Sequence, residues 1–130
     1  MSTGSTDLAE MLRSLEAVAR PGEYVFATVS TDDPIRELAG ATIYEDEGLT
    51  VVLPRAEADS HGVSYDFVAS WITLTVHSSL EAMGLTAAVS KALADEGIAC
   101  NVLAGFHHDH LLVPTSAASR ALEVLGSLPD

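Results

Sequence analysis

GLTAAVSKALADEGIACNV, Gly84 to Val102, is the stretch on which the reading of the fold turns. Leu85, Ala88, Val89, Ala92 and Leu93 fall at i, i+3, i+4, i+7 and i+8, the spacing that lines one side of an α-helix with apolar side chains. Gly97 follows where a left-handed C-cap residue belongs. IACNVLAG after it is short, apolar and bounded by glycines, which predicts a strand. The segment therefore reads as a helix opening at Gly84-Leu85, stopping at Gly97 and feeding a strand.

Upstream, YDFVASWITLTVH alternates Ile72, Leu74 and Val76 against Trp71, Thr73, Thr75 and His77, so one face of a strand meets helices and the other meets something more polar. Downstream, IACNVLAG and HLLVP flank GFHHDH, Gly105 to His110, and place that segment at a hairpin. TSAASRALEVLGSL then closes the chain as a helix with Ala118, Leu122 and Leu125 on one side. The order β-α-β-β-α is most of a ferredoxin-like βαββαβ unit, in which helices cover one face of an antiparallel sheet.

The first half holds the same parts in shorter form. Asp7 and Glu10 signal a helix start, and Leu8, Met11, Leu12, Leu15 and Ala19 carry helical spacing as far as Pro21-Gly22. EYVFATVS reads as a strand, TDDP as a turn and IREL as at most one helical turn. AGATIYEDEGLTVVLP reads as a hairpin about Asp46-Glu47-Gly48, and RAEADSHG as a short helix or loop. TVVLPRAEA, Thr50 to Ala58, aligns with HLLVPTSAA, His110 to Ala118, bringing Leu53 onto Val113, Pro54 onto Pro114 and Ala58 onto Ala118. Duplication of one unit accounts for that repeat. The expected organisation is an α+β chain of two ferredoxin-like βαββ units with antiparallel sheets: residues 1–68, an N-terminal helix plus an abbreviated unit, and residues 69–130, a nearly complete one.

Composition narrows the function. A chain of 130 residues with 48% hydrophobic content can bury a core unaided. Six Lys and Arg against 19 Asp and Glu give a net charge of −13, a field that repels phosphate backbones and anionic membranes and attracts cations. Nucleic acid and membrane are thus not expected partners. No apolar run is long enough to span a bilayer, and MSTGSTDLAE lacks the basic and apolar regions of a signal peptide, so a cytoplasmic location is expected. The single cysteine, Cys100, reads as a buried structural thiol, and Lys91 as a solvated charge opposite the apolar stripe of its helix.

The Gly84–Val102 segment, with its Gly-Leu helix opening, Val89-Ser90, Leu93-Ala94 and Gly97-Ile98, resembles the signature of ACT domains, small regulatory modules that bind amino acids. WITLTVHSSLEAMGLTAAVS and DHLLVP are similar to small stand-alone bacterial proteins with tandem ACT-like domains. The resemblance covers residues 71–128 well and residues 22–63 by architecture. It departs between Val29 and Ala39, where no Gly-Leu opening occurs and the room is too short for a full helix. It implies a ligand touching the loop from first strand to helix and the facing second strand, here Ser78, Ser79, Glu81, Gly84 and Leu85 together with Gly105, Phe106 and Asp109. The residue types suit a zwitterion. Ser78 and Glu81 have capping-box spacing, so that a helix begun at Ser79 and interrupted at Gly84 would leave backbone N–H groups for a carboxylate. Glu81 and Asp109 offer carboxylates to an ammonium, and Phe106 offers an apolar wall. Each also has a plain structural role, as cap, turn former or backbone.

The histidines and serines of these segments also suit two other chemistries. Imidazoles and a carboxylate suit zinc-like ions, but strand alternation splits His107 with Asp109 from His108 with His110, and two ligands hold a metal weakly unless His77 or a second chain adds more. A solvated hairpin tip with one ring bonded at the core edge is the simpler reading of these histidines. His77, Ser78, Ser79 and Asp109 supply the residue types of a hydrolase triad, but His77 and Ser78 are adjacent and no G-x-S-x-G elbow exists. The expectation is a regulatory small-molecule-binding protein that is not an enzyme and has no metal or cofactor. It would dimerise through sheet edges or helices and pass its signal to a partner protein. The alternatives are a ligand-free interaction module and a histidine-based metal binder.

Overall fold

The structure, a computed structural model, describes residues 7–76, 80–81 and 83–128. Two compact units divide the chain, one nested within the other in sequence: residues 21–69 form the nested unit, and residues 1–20 with 70–130 form the framing unit. By contact the first twenty residues group with residues 70–130.

In the nested unit β2 (Tyr24–Val29) leads through a 3-10 turn, Pro34–Leu38, to the hairpin of β3 (Ala41–Glu45) and β4 (Gly48–Pro54). Helix α2 (Arg55–Ser60) follows, and the first residues of β5 (Val68–Leu74) close the unit. The strand order is β3-β4-β2-β5 with antiparallel pairing throughout. The 3-10 turn stands where a ferredoxin-like unit has its first helix. Pro34 sets its start, and Asp33 accepts from the Ile35 N–H at 2.9 Å. Val25, Leu49, Val51 and Leu53 from the sheet pack with Ile35 and Ala58 as the core. Arg55 fastens the outside: it donates to Glu23 at 3.0 Å and to the Tyr65 hydroxyl at 2.9 Å, and these bonds raise its pKa, Tyr65 contributing most.

In the framing unit the remainder of β5 is joined by α3 (Leu85–Asp95), β6 (Asn101–Ala104), β7 (Asp109–Pro114) and α4 (Ala118–Leu125). Helix α1 (Leu8–Ser14) and β1 (Ala17–Ala19) come from the N-terminus, and the strand order is β1-β5-β7-β6. Ile72, Leu74, Leu111 and Val113 meet Met11 of α1, Leu85, Val89 and Leu93 of α3, and Ala121, Val124 and Leu125 of α4 in one core. Full burial of each large aliphatic side chain contributes about 1.5 to 3 kcal/mol. Helix α3 ends as its spacing predicts: Gly97 has φ +72°, its N–H bonds to the Ala94 carbonyl at 2.9 Å, and the Ile98 N–H bonds back to Leu93 at 3.0 Å. That is a Schellman motif, with the apolar contact of Ile98 and Leu93 inside the core.

Two expectations are corrected. The N-terminal helix stops at Ser14 rather than reaching Ala19; Leu15 is extended at φ −66°, ψ 128°, and Ala17, Val18 and Ala19 pair antiparallel with Leu74, Thr73 and Ile72. The helical spacing persists through these residues, but a sheet edge with unpaired N–H and C=O groups recruits them. The helix start expected at Ser79 lies outside the described residues; Leu80 and Glu81 lie in a turn, and Gly84 precedes α3 at φ +97°. Cys100 is half-buried rather than buried, with burial pushing its thiol pKa up.

The aligned repeat appears in the backbone. Pro54 ends β4 at φ −56°, ψ 135° and leads into α2, while Pro114 ends β7 at φ −53°, ψ 134° and leads into a helical turn and α4.

Candidate functional site

The hairpin of β6 and β7 brings Gly105, Phe106 and Asp109 together. Ala104 is paired with Asp109, and the Gly105 N–H donates to the His108 carbonyl at 2.9 Å, closing the turn. That amide is therefore used within the hairpin. A side chain at Gly105 would place its Cβ 2.8 Å from the His108 oxygen and 3.1 Å from Nε2 of His110, so the turn needs glycine for close approach. Phe106 stands 58% exposed, its ring meeting the edge of His107 at 5.1 Å. Asp109 is half-buried at the start of β7.

The other group lies at the opening of α3. Gly84, the N-cap residue of α3, adopts a left-handed conformation and has no side chain with which to cap the helix. A Cβ on Gly84 would fall 2.9 Å from Cδ2 of Leu8, which puts α1 against this opening. Leu85 points into the core and is 3% exposed; only its backbone can face a ligand. Glu81 is exposed. Ser78 and Ser79 lie outside the described residues.

Sequence reasoning missed a polar cluster that centres on His110. The Trp71 indole N–H donates to Nδ1 of His110 at 3.1 Å, and the Thr73 hydroxyl lies 3.0 Å from the same nitrogen. An indole only donates, so Nδ1 must accept and the neutral ring carries its proton on Nε2. The Arg20 guanidinium sits 3.9 Å from the centre of the Trp71 ring, and the Arg20 N–H donates to the Trp71 carbonyl at 2.8 Å. Burial first, then Arg20 and His108, lower the His110 pKa below its ordinary value, with Asp109 opposing. The alternation of Trp71 and Thr73 was the available signal; the missing element was His110, 39 residues from Trp71. His107 is exposed and His108 half-buried, so the ring bonded at the core edge is the third of the set.

Among the described residues no group of three or more His, Cys, Asp or Glu is placed to hold a metal ion; His77 lies outside them. No helix among them is long and apolar enough to cross a membrane.

The comparisons agree on architecture. A Vibrio cholerae protein of unknown function, described as a possible transport protein, is 44% identical, covers 89% of this chain and 91% of its own, and superposes with a TM-score of 0.81. An Agrobacterium tumefaciens protein at 21% identity covers 86% and 87% with a TM-score of 0.65. The ligand-free regulatory subunit of aspartate kinase from Thermus thermophilus, 8% identical, covers 88% and 96% with a TM-score of 0.63. These last two share the fold. No curated protein matches the chain. The ACT domain pattern matches twice, over residues 3–70 and residues 67–127. With the two ferredoxin-like units, the chain belongs to the ACT-domain family of regulatory, ligand-binding modules, as a small protein of two tandem ACT domains.

Proposed function

We propose that this protein is a regulatory sensor that binds an amino acid or a similar small zwitterion, does no catalysis, and passes its ligand-bound state to a partner protein. The observation that carries the reading is the second ACT match, residues 67–127, which spans both the Gly-Leu opening of α3 and the β6–β7 hairpin. The ligand lies between these elements. Its carboxylate meets backbone amides near Ser78, Ser79, Gly84 and Leu85, and its ammonium meets Asp109, with Glu81 and the Gly105-Phe106 turn at the rim. The N-terminal end of α3 suits an anionic group, and the half-buried carboxylate of Asp109 suits a cationic one. The field of a chain with net charge −13 favours the ammonium end arriving first.

A thermal-shift screen of the amino acids, followed by calorimetry, tests this. A ligand at about a hundred times its dissociation constant adds roughly 2.7 kcal/mol, a shift of several degrees. Asp109→Asn keeps the shape and removes the charge, and is expected to weaken binding by about 1.5 to 3 kcal/mol, roughly tenfold to a hundredfold. Unchanged affinity in a folded Asp109→Asn protein would sink the pose.

A further inference from the structure

The nested unit carries a second candidate site, on the face of its sheet that its helical segments leave uncovered. A cleft of about 610 Å³ opens there, floored by Phe26, Thr28, Ile43 and Thr50 and walled by Tyr65 and Asp66. Strand alternation explains the floor. Val25, Leu49, Val51 and Leu53 turn to the core, so Phe26, Thr28 and Thr50 turn the other way, with Thr28 opposite Thr50 and Ile43 opposite Thr50 across the pairs. The Phe67 ring, 6.0 Å from Phe26, extends the apolar surface. Of the nine lining residues none is Lys, Arg or His, while Glu45 and Asp66 are carboxylates. The Thr50 hydroxyl donates to Glu45, fixing that carboxylate at the margin of the cleft.

The framing unit shows what such a face holds when it is filled. On the corresponding side of β5, Trp71 and Thr73 stand two residues apart, as Phe26 and Thr28 do on β2. The repeat that aligns Pro54 with Pro114 sets Thr50 at the place of His110. There a cation of the chain itself, the Arg20 guanidinium, lies over the aromatic ring, and the His110 imidazole fills the floor. In the nested unit a threonine replaces the imidazole, and no cationic side chain lines the cleft. We propose that this cleft binds a small organic cation, an ammonium or guanidinium on an aromatic or branched apolar body, with its charge toward Glu45 and Asp66 and its body on Phe26 and Ile43. The volume suits a small molecule rather than a macromolecular surface, and apolar contact with a carboxylate margin selects a cation over an anion of the same shape. The site is separate from the amino-acid site proposed above and does not rest on it.

Isotope-labelled protein titrated with phenethylammonium, phenylethyl alcohol and phenylacetate, followed by amide NMR shifts, tests the proposal. Phenethylammonium is expected to give saturable shifts at Thr28, Ile43 and Thr50, with a dissociation constant of about 1 mM or below. The alcohol should bind about tenfold more weakly, and phenylacetate should leave these amides unmoved. The double variant Glu45→Gln, Asp66→Asn, which alters two exposed side chains, is expected to lose about tenfold in affinity for the amine. No saturation by about 10 mM amine would overturn the site, as would equal binding of amine and phenylacetate or full affinity in a folded double variant. Shifts confined to Gly105, Phe106 and Asp109 would place the amine at the other site and overturn this one alone. Response only to lysine-containing peptides, with none to the free amine, would also overturn it.

Discussion

The two units share a topology and differ in how they treat the helix-free face of the sheet. In the framing unit Trp71 is 2% exposed, its indole N–H bonded to His110 and its ring covered by Arg20. In the nested unit the aromatic residue on the matching strand, Phe26, is half-buried at the floor of an open cleft. One strand order and one alternation thus produce a closed face where large aromatic and imidazole rings interlock, and an open one where threonines stand in. The backbone sets which residues face outward; side-chain volume and hydrogen-bonding capacity decide whether the face closes.

The largest expected effect tests that contrast directly. Trp71→Ala removes a buried ring and the indole donor to His110, and is expected to cost about 3 to 5 kcal/mol. Phe26→Ala, at a face already partly open, should cost about 1 to 2 kcal/mol. Urea unfolding of the two variants measures both, and equal losses would break the comparison.

Second comes the pair related by the repeat. His110→Ala strands the buried indole N–H and is expected to cost about 1 to 3 kcal/mol. Thr50→Ala loses one exposed hydroxyl bond to Glu45 and should stay within about 0.5 kcal/mol. The same unfolding curves decide between them.

Third, Gly84→Ala asks a residue with a Cβ to hold φ +97° beside Leu8. A cost of about 1 to 3 kcal/mol is expected from the backbone alone. Gly22→Ala, also at positive φ but with open space around it, separates conformational strain from crowding against α1.

The smallest effect is on pH dependence. His110 is held neutral, with its folded pKa below the unfolded value near 6.5. Its contribution is therefore complete above about pH 6.5 and is lost as pH falls through that value toward the lower folded one. His110→Gln keeps an acceptor for the indole N–H and cannot titrate. The melting temperature of the variant should fall less than that of the wild type between about pH 7.5 and pH 5. Parallel curves would show that this ring does not titrate in the window.

Local order decided much of this molecule. The apolar spacing of α3 and its stop at Gly97 follow from contacts three to five residues apart, and the structure returns them as a helix closed by a Schellman motif. The turn at Asp46-Glu47-Gly48, the hairpin around GFHHDH and the two proline-led exits from β4 and β7 are equally local, so the tandem ferredoxin-like architecture was legible. At the candidate site the hairpin was legible too, as was the opening of α3 at Gly84-Leu85; the cap spacing of Ser78 and Glu81 falls in part outside the described residues.

What tertiary structure alone decided depends on partners distant in the chain. Ala17 to Ala19 continue a helical pattern, and became a strand because the edge of β5, more than fifty residues later, offered hydrogen bonds that the helix could not match. His110 looked like one of three interchangeable hairpin histidines until the sheet put Trp71, Thr73 and Arg20 around it. The cleft floored by Phe26 and Thr50 has no signature in sequence, since its shape is set by pairing register across three strands and by the side chains that are too small to fill it. Periodicity records which face a residue takes; what stands on the other side of that face is fixed only when the strands are laid next to one another.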